Sequence, residues 1–255
     1  MAPKTKPIIL IVPGAWHAVE HYNPVIGLLQ AAGYTVKGET MPSASEVPTQ
    51  SFDADVALVR YEILNEIERS RDVLLLAHSF GGLIAGEASK GFTRKEREAM
   101  GREGCVVGIV YMAAFVLPVG GSVMSNMPGA AEPPWYGREG RLSWIVPNME
   151  KVFYPDIDPE IARSFVERAR PHSFRAMQSK VTYAAYEDYP TWYIWPVKDQ
   201  GFAVKTLQQT ASHHEKIYKV DAAHSPFVNH PDVVAKIVRG IAGEDLDLSD
   251  LETQV

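Results

Sequence analysis

The run Leu74-Leu75-Leu76-Ala77-His78-Ser79-Phe80-Gly81-Gly82-Leu83 leaves few folds open. A strand of branched apolar residues passes straight into a tight turn and then into a helix. The turn carries one serine between small residues: Ala77 before it, then Gly81, Gly82, Ala85 and Gly86. Such a turn strains the serine backbone and packs it closely, so its neighbours must be small. The pattern is the nucleophile elbow, G-x-S-x-G, with Ala77 standing for the first Gly. A glycine-rich turn with an idle serine is the alternative. The apolar strand before the serine and the small residues after it favour the elbow.

The rest of the chain alternates. Strand patterns fall at 8–12, 34–37, 72–77, 106–113, 191–195 and 217–220. Helix patterns fall at 21–32, 52–69, 80–90, 205–212 and 231–241. In the helix over 52–69, Val56, Val59, Ile63 and Ile67 recur at helical spacing. Continuous apolar strands between helices predict an α/β fold with a doubly wound, mostly parallel sheet. The alternation breaks between Phe115 and Pro190, a stretch rich in proline and aromatic residues with no strand-like run. A connection this long inside a compact domain is usually functional. It predicts a helical lid over 119–187, inserted into a core made of 1–118 and 188–243. The acidic tail, 244–255, is expected to fray. The aromatics of the insert either build its own core or line a pocket. Trp135 and Trp144, with His17 and His78 from the core, are the candidates for substrate contact.

Bulk properties exclude several classes. With 255 residues and 46% apolar content, one domain with a large core is expected. The net charge of −6 and the absence of a basic stripe argue against nucleic-acid binding. Cys105 is the single cysteine, so no internal disulfide or cysteine-built metal site can form; beside Val106 and Val107 it reads as a buried thiol. The apolar run from Ile8 to Pro13 is too short for a secretory segment and reads as a first strand. No stretch is long and apolar enough for a membrane span, and no N-x-S/T sequon occurs. A cytoplasmic protein acting on a small molecule is expected; oligomeric state is not set by the sequence.

The serine makes demands on the chain after it. A serine hydroxyl is a weak nucleophile and needs a base within hydrogen-bond reach. In an elbow of this kind the partners follow in the order acid, then histidine. Of the late histidines, His224 lies directly after the strand pattern at 217–220, in Asp221-Ala222-Ala223-His224-Ser225-Pro226-Phe227. His213 and His214 end a polar helix and are expected to be solvated, and His230 starts a helix. The imidazolium that forms needs a carboxylate to orient it. The strand pattern ending at Trp195 leads to Pro196-Val197-Lys198-Asp199, which gives Asp199; Asp221, three residues before His224, is the rival. An oxyanion hole needs backbone N–H groups. Phe80, after the serine, is one donor. In Val12-Pro13-Gly14-Ala15-Trp16-His17 proline has no N–H, so Ala15 is the second donor, with Trp16 behind it.

These segments resemble the α/β-hydrolase superfamily. Within it they are similar to the single-domain group of plant methyl-ester and methyl-ketone hydrolases and hydroxynitrile lyases. The likeness is carried by Pro13-Gly14-Ala15-Trp16-His17, Ala77-His78-Ser79-Phe80-Gly81-Gly82, Tyr193-Ile194-Trp195 leading to Asp199, and Ala223-His224-Ser225-Pro226-Phe227. Pro13 departs from the histidine that group often has. The resemblance implies a serine hydrolase cleaving a carboxylic ester or lactone of a mainly apolar small molecule. It also leaves open a carbon–carbon lyase on the same triad and a non-enzymatic ligand receptor. The lyases of that group have Thr and Lys where this chain has Gly14 and Ser225, which counts against cyanohydrin chemistry. No cofactor is expected: there is no H-E-x-x-H and no G-x-G-x-x-G after the first strand. Turnover is therefore expected to survive EDTA and to fall below roughly pH 6, as a neutral-histidine base requires. Loss on chelation, restored by one divalent metal, would contradict this.

Overall fold

Apolar strands need both faces covered, and the chain supplies a helical layer for each. A computed structural model describes residues 5–126, 136–145, 149–199 and 204–254. Its strands are β1 (Ile8–Val12), β2 (Val36–Gly38), β3 (Val73–His78), β4 (Val106–Met112), β5 (Tyr136–Glu139), β6 (Leu142–Ile145), β7 (His172–Ser173), β8 (Thr191–Pro196), β9 (Lys216–Val220) and β10 (Glu252–Thr253). Seven of them form one sheet in the order β10-β9-β8-β4-β3-β1-β2. All its pairings are parallel except β10 on β9. This is the α/β, doubly wound architecture that the alternation predicts.

Side chains alternate across the sheet. Ile8, Leu10, Val12, Leu75 and Ala77 face one core, where α2 (Asp53–Ile67) packs Val59, Ile63 and Ile67, and α3 (Gly81–Ser89) packs Leu83, Ile84 and Ala88. Ile9, Ile11, Leu74 and Leu76 face the other, covered by Val25 and Leu29 of α1 (Asn23–Ala31) and by Val234, Ile237 and Val238 of helix Pro231–Ile241. The parallel strands β1, β3, β4, β8 and β9 therefore end together at one edge. Ligand sites in open α/β sheets lie at that edge.

Two expectations need correction. The 119–187 insert is not purely helical, because β5, β6 and β7 form a small antiparallel sheet within it. These strands are short, and β5 reads Tyr-Gly-Arg-Glu, so no apolar alternation announces them. Nor does the insert keep a core to itself. Met149, Phe153, Tyr154, Ala162 and Phe165 join the cluster on the α2–α3 face. The tail also does not fray. Leu248 is buried in the second core, and Glu252 and Thr253 pair with β9. Leu248, the partly buried Leu251, Glu244 ion pairs to Lys6 and Arg239 and a two-residue strand dock it, and none of these is long enough for a pattern to register.

Where the insert meets the core, a buried carboxyl stands beside a buried imidazole. Asp55 Oδ1 accepts from the Ser43 amide at 2.8 Å, while Oδ2 is buried without a hydrogen-bond partner. The Ser43 hydroxyl lies 2.9 Å from His172 Nε2, and the Ser43 carbonyl accepts from the Ser173 amide. Burial pushes the Asp55 carboxyl up to about 6 from 3.8, the Ser43 hydrogen bonds opposing it. The raised value means the unfolded chain ionises first. Stability should fall as pH rises from about 4 to about 6 and then level, by about 3 kcal/mol from this group. Asp55→Asn removes the titration. Its unfolding free energy relative to wild type, measured in urea at pH 4, 5.5 and 7, should improve across that window. A difference that does not change with pH would refute this.

Candidate active site

Ser79 directly follows β3 with φ +51°, left-handed backbone that a serine adopts only under constraint. Three main-chain hydrogen bonds hold it: its N–H donates to Met112, and its carbonyl accepts from Gly82 and Phe115. The helix that follows presses against two loops. A Cβ on Gly81 would lie 2.3 Å from the Val12 carbonyl oxygen, and one on Gly82 would lie 2.5 Å from that of Phe115. Within this helix Gly86 has ordinary room, whereas 81 and 82 have none for a side chain.

After β9, the loop carrying His224 returns over the same edge. His224 Nδ1 lies 2.9 Å from Asp199 Oδ2, in the loop after β8, and both side chains are only 1% exposed. The carbonyl of His224 accepts from His78 Nε2, so the histidine loop rests on the residue before Ser79. Phe153 of the insert packs against the His224 ring at 4.9 Å. The rival Asp221 is exposed and ion-paired to Lys198 at 3.0 Å.

The loop after β1 forms the opposite wall. Its Trp16 is also left-handed, at φ +64°. Neither the Ala15 nor the Phe80 amide donates a hydrogen bond among the described residues. Two undonated amides beside a serine suit an acceptor that carries negative charge. The Trp16 indole N–H donates to the Ser143 carbonyl at 3.1 Å, and the Trp16 carbonyl accepts from the Arg170 amide at 2.9 Å. The insert thus grips this loop from two sides.

Histidine is the surprise of the site. His17 donates from Nδ1 to the Ala15 carbonyl and accepts at Nε2 from the Tyr154 hydroxyl. His78 donates from Nε2 and accepts at Nδ1 from the Tyr22 hydroxyl. Burial, then the neighbouring imidazoles, lower both well below the usual value, so both rings are neutral. These bonds engage both ring nitrogens of His17 and both of His78. Trp135 lies outside the described residues, and Trp144 lies on β6. His214, expected in solvent, is half-buried between Thr191 and Thr210, and burial lowers it to about 4. Cys105 is a buried thiol, pushed up to about 12 by burial.

The sequence reading did not single out Tyr22, Tyr154 or Asp156. Asp156 Oδ2 accepts from the Ala223 amide at 2.8 Å and from Asn229 Nδ2 at 2.9 Å, tying the insert to the histidine loop. No spacing signals these partners, which lie 67 and 73 positions away. Among the described residues no group of three His, Cys, Asp or Glu is arranged to hold a metal ion, and no helix is long and apolar enough to cross a membrane.

Comparison with known proteins places the chain in a family. The model of the alpha/beta hydrolase family matches residues 9–237. The alpha/beta hydrolase nvfD of Aspergillus novofumigatus is 30% identical over 252 residues, covering 95% of this chain and 99% of that protein. Polyneuridine aldehyde esterase superposes with a TM-score of 0.75 at 19% identity, covering 93% of this chain and 100% of the other. The methylesterase MES16 from Arabidopsis superposes at 0.70 with 19% identity, covering 92% and 99%. At these identities the two structures share the fold.

The two acids are separable by experiment. Asp199→Asn should leave the fold in place and lower kcat on a p-nitrophenyl ester by roughly 10⁴-fold, through the wrong imidazole tautomer. Asp221→Asn should stay near wild type. The reverse ranking would reassign the acid.

Proposed function

We propose a reaction from an established premise: the chain belongs to the alpha/beta hydrolase family, and it is an enzyme of that family. The reaction is hydrolysis of a carboxylic ester or lactone of a mainly apolar small molecule, through an acyl-enzyme on Ser79. One observation carries it. Ser79 is left-handed at the end of β3, and the residue before it, His78, donates to the carbonyl of His224, whose ring meets the buried Asp199.

The chemistry follows from the placement. With Nδ1 turned to Asp199, Nε2 of His224 is the nitrogen that takes the Ser79 proton. Ser79 Oγ then bonds to the substrate carbonyl carbon, whose oxygen becomes an oxyanion. The Ala15 and Phe80 amides are the donors for that oxyanion, with Trp16 the second choice in the β1 loop. The C–O bond to the alcohol breaks, and His224 returns its proton to the leaving oxygen. A water repeats the sequence on the acyl-serine, freeing the acid. Asp199 holds the tautomer and stabilises the imidazolium.

An apolar substrate is favoured by the aromatic wall. Phe153 covers His224, Trp16 lies 5.9 Å from Phe153, and Phe80 meets the His172 ring at 4.8 Å. Relatives named hydrolase and esterase point to the same chemistry. On this reading segment 119–187 acts as a lid that selects the acyl or alcohol group.

A panel of p-nitrophenyl esters and lactones of graded acyl length tests the reaction. Wild type should turn over the apolar members, and Ser79→Ala should lose at least about 10⁴-fold in kcat while keeping its melting temperature. An alkyl phosphonate should label Ser79 alone, read by peptide mass. A folded Ser79→Ala with unchanged rates would remove Ser79 from the mechanism. Inactivity of wild type without acylation would turn the reading toward a ligand receptor.

A further inference from the structure

Three loops must be held in one register for this site to work: the β1 loop with Gly14 and Ala15, the elbow with Ser79, and the loop with His224. One buried chain of hydrogen bonds joins all three. The Gly14 amide lies 3.0 Å from the Tyr22 hydroxyl, which lies 2.8 Å from His78 Nδ1; His78 Nε2 lies 3.1 Å from the His224 carbonyl. Tyr22 and His78 are fully buried.

The direction of the chain is fixed by its ends. The Gly14 N–H can only donate, so the Tyr22 oxygen accepts. The His224 carbonyl can only accept, so His78 Nε2 carries the proton. Burial keeps His78 neutral and holds the Tyr22 hydroxyl protonated. Nδ1 of His78 is then an acceptor, and the Tyr22 hydroxyl donates to it. Each group polarises the next in one sense, from the β1 loop to the histidine loop. Contact backs the connection: a Cβ on Gly14 would lie 2.8 Å from His78 Nδ1 and 2.9 Å from Ser79 Cβ. The Gly14 backbone thus lies directly against the His78 and Ser79 side chains.

We infer that Tyr22 and His78 are positioning residues that hold the Pro13–Gly14 peptide, and through it the neighbouring Ala15 amide, in register with Ser79 and His224. The inference rests on the acyl-enzyme reading above and adds to it. Neither residue touches the reacting atoms. Losing the Tyr22 hydroxyl strips the Gly14 N–H of its acceptor and His78 Nδ1 of its donor in a dry core. The Pro13–Gly14 peptide then loses its tether, and the Ala15 amide, one peptide further on, shifts from where charge develops. Charge on the carbonyl oxygen develops on the way to the transition state, so the loss falls on kcat rather than on substrate affinity.

The test uses Tyr22→Phe, His78→Leu and His78→Gln in the full chain, with an ester that wild type hydrolyses. Glutamine presents a donor and an acceptor at about the separation of the two ring nitrogens, so it can repeat the relay. Tyr22→Phe and His78→Leu should lose roughly 10- to 100-fold in kcat, with KM within about twofold of wild type. Binding of a trifluoromethyl ketone, which forms an oxyanion on Ser79, should weaken in parallel. Binding of the product acid should not. His78→Gln should recover most of what His78→Leu loses.

A merely structural role would lower the melting temperature and leave these ratios alone. Folded variants with wild-type kcat, or equal losses in substrate and ketone binding, would overturn the inference. If Tyr22→Phe does not fold, the His78 pair decides, and failure of His78→Gln to recover activity counts against it. Ser79→Ala run alongside separates the two claims. Turnover that survives in Ser79→Ala sinks the acyl-enzyme itself, whereas turnover lost there but kept in Tyr22→Phe sinks only the positioning role.

Discussion

The left-handed backbone of Ser79 is the constraint on which the rest of the site depends. Holding a serine in that region costs of order 1–3 kcal/mol, and it persists only where the surroundings over-determine it. Here they do. Met112 and Phe115, at and beyond the end of β4, bond both sides of the Ser79 peptide, and α3 is pressed against the Val12 and Phe115 carbonyls. That close approach leaves no choice at Gly81 and brings the β1 loop onto the elbow. The strain is met by sheet and helix, elements with large cores, and not by the loops that must accommodate a ligand.

Around this turn the protein solves one problem repeatedly with one side chain. Loops crossing a sheet edge bury backbone groups that need partners. A neutral imidazole offers one donor and one acceptor at opposite ends of a flat apolar ring. His17 bridges the Ala15 carbonyl to Tyr154, His21 bridges the Ala18 amide to the Phe165 carbonyl, and His172 bridges Ser43 to the Ser173 carbonyl. With His78 this makes four buried rings whose ordinary value is lowered by burial. His224 stands apart, because its partner is a carboxylate that can stabilise positive charge. On the proposed reading, the charge of one neighbour separates a structural histidine from a base.

That difference explains what was legible in the sequence. The sheet, its helices and the elbow are written in local patterns: apolar runs, helical spacing and small residues around one serine. Asp199 and His224 were found by their places after β8 and β9, and their side chains meet. His17 and His78 sat in the same conspicuous motifs, yet their roles depend on Tyr154 and Tyr22, 137 and 56 positions away. No local pattern encodes such a pairing. Likewise Asp199 and Asp221 differ little as letters; exposure to solvent and the Lys198 partner separate them, and those belong to the folded chain. The short strands β5 and β10 escaped because pairing, not side-chain pattern, defines them.

The insert follows from the same logic. It is fastened to the catalytic edge where the edge is weakest: Ser143 and Arg170 hold Trp16, Tyr154 holds His17, and Asp156 holds the amide next to His224. None of these contacts requires a substrate. The segment that walls the site therefore also tensions the loops that would do the chemistry. Its Phe153 and Phe165 share a core with β1 and β3. A change in the wall is then transmitted to Trp16, His17 and the Ala223 amide through these four hydrogen bonds. On the proposed reading selectivity and rate are mechanically coupled: a substitution that widens the space over Ser79 also loosens the groups that face it.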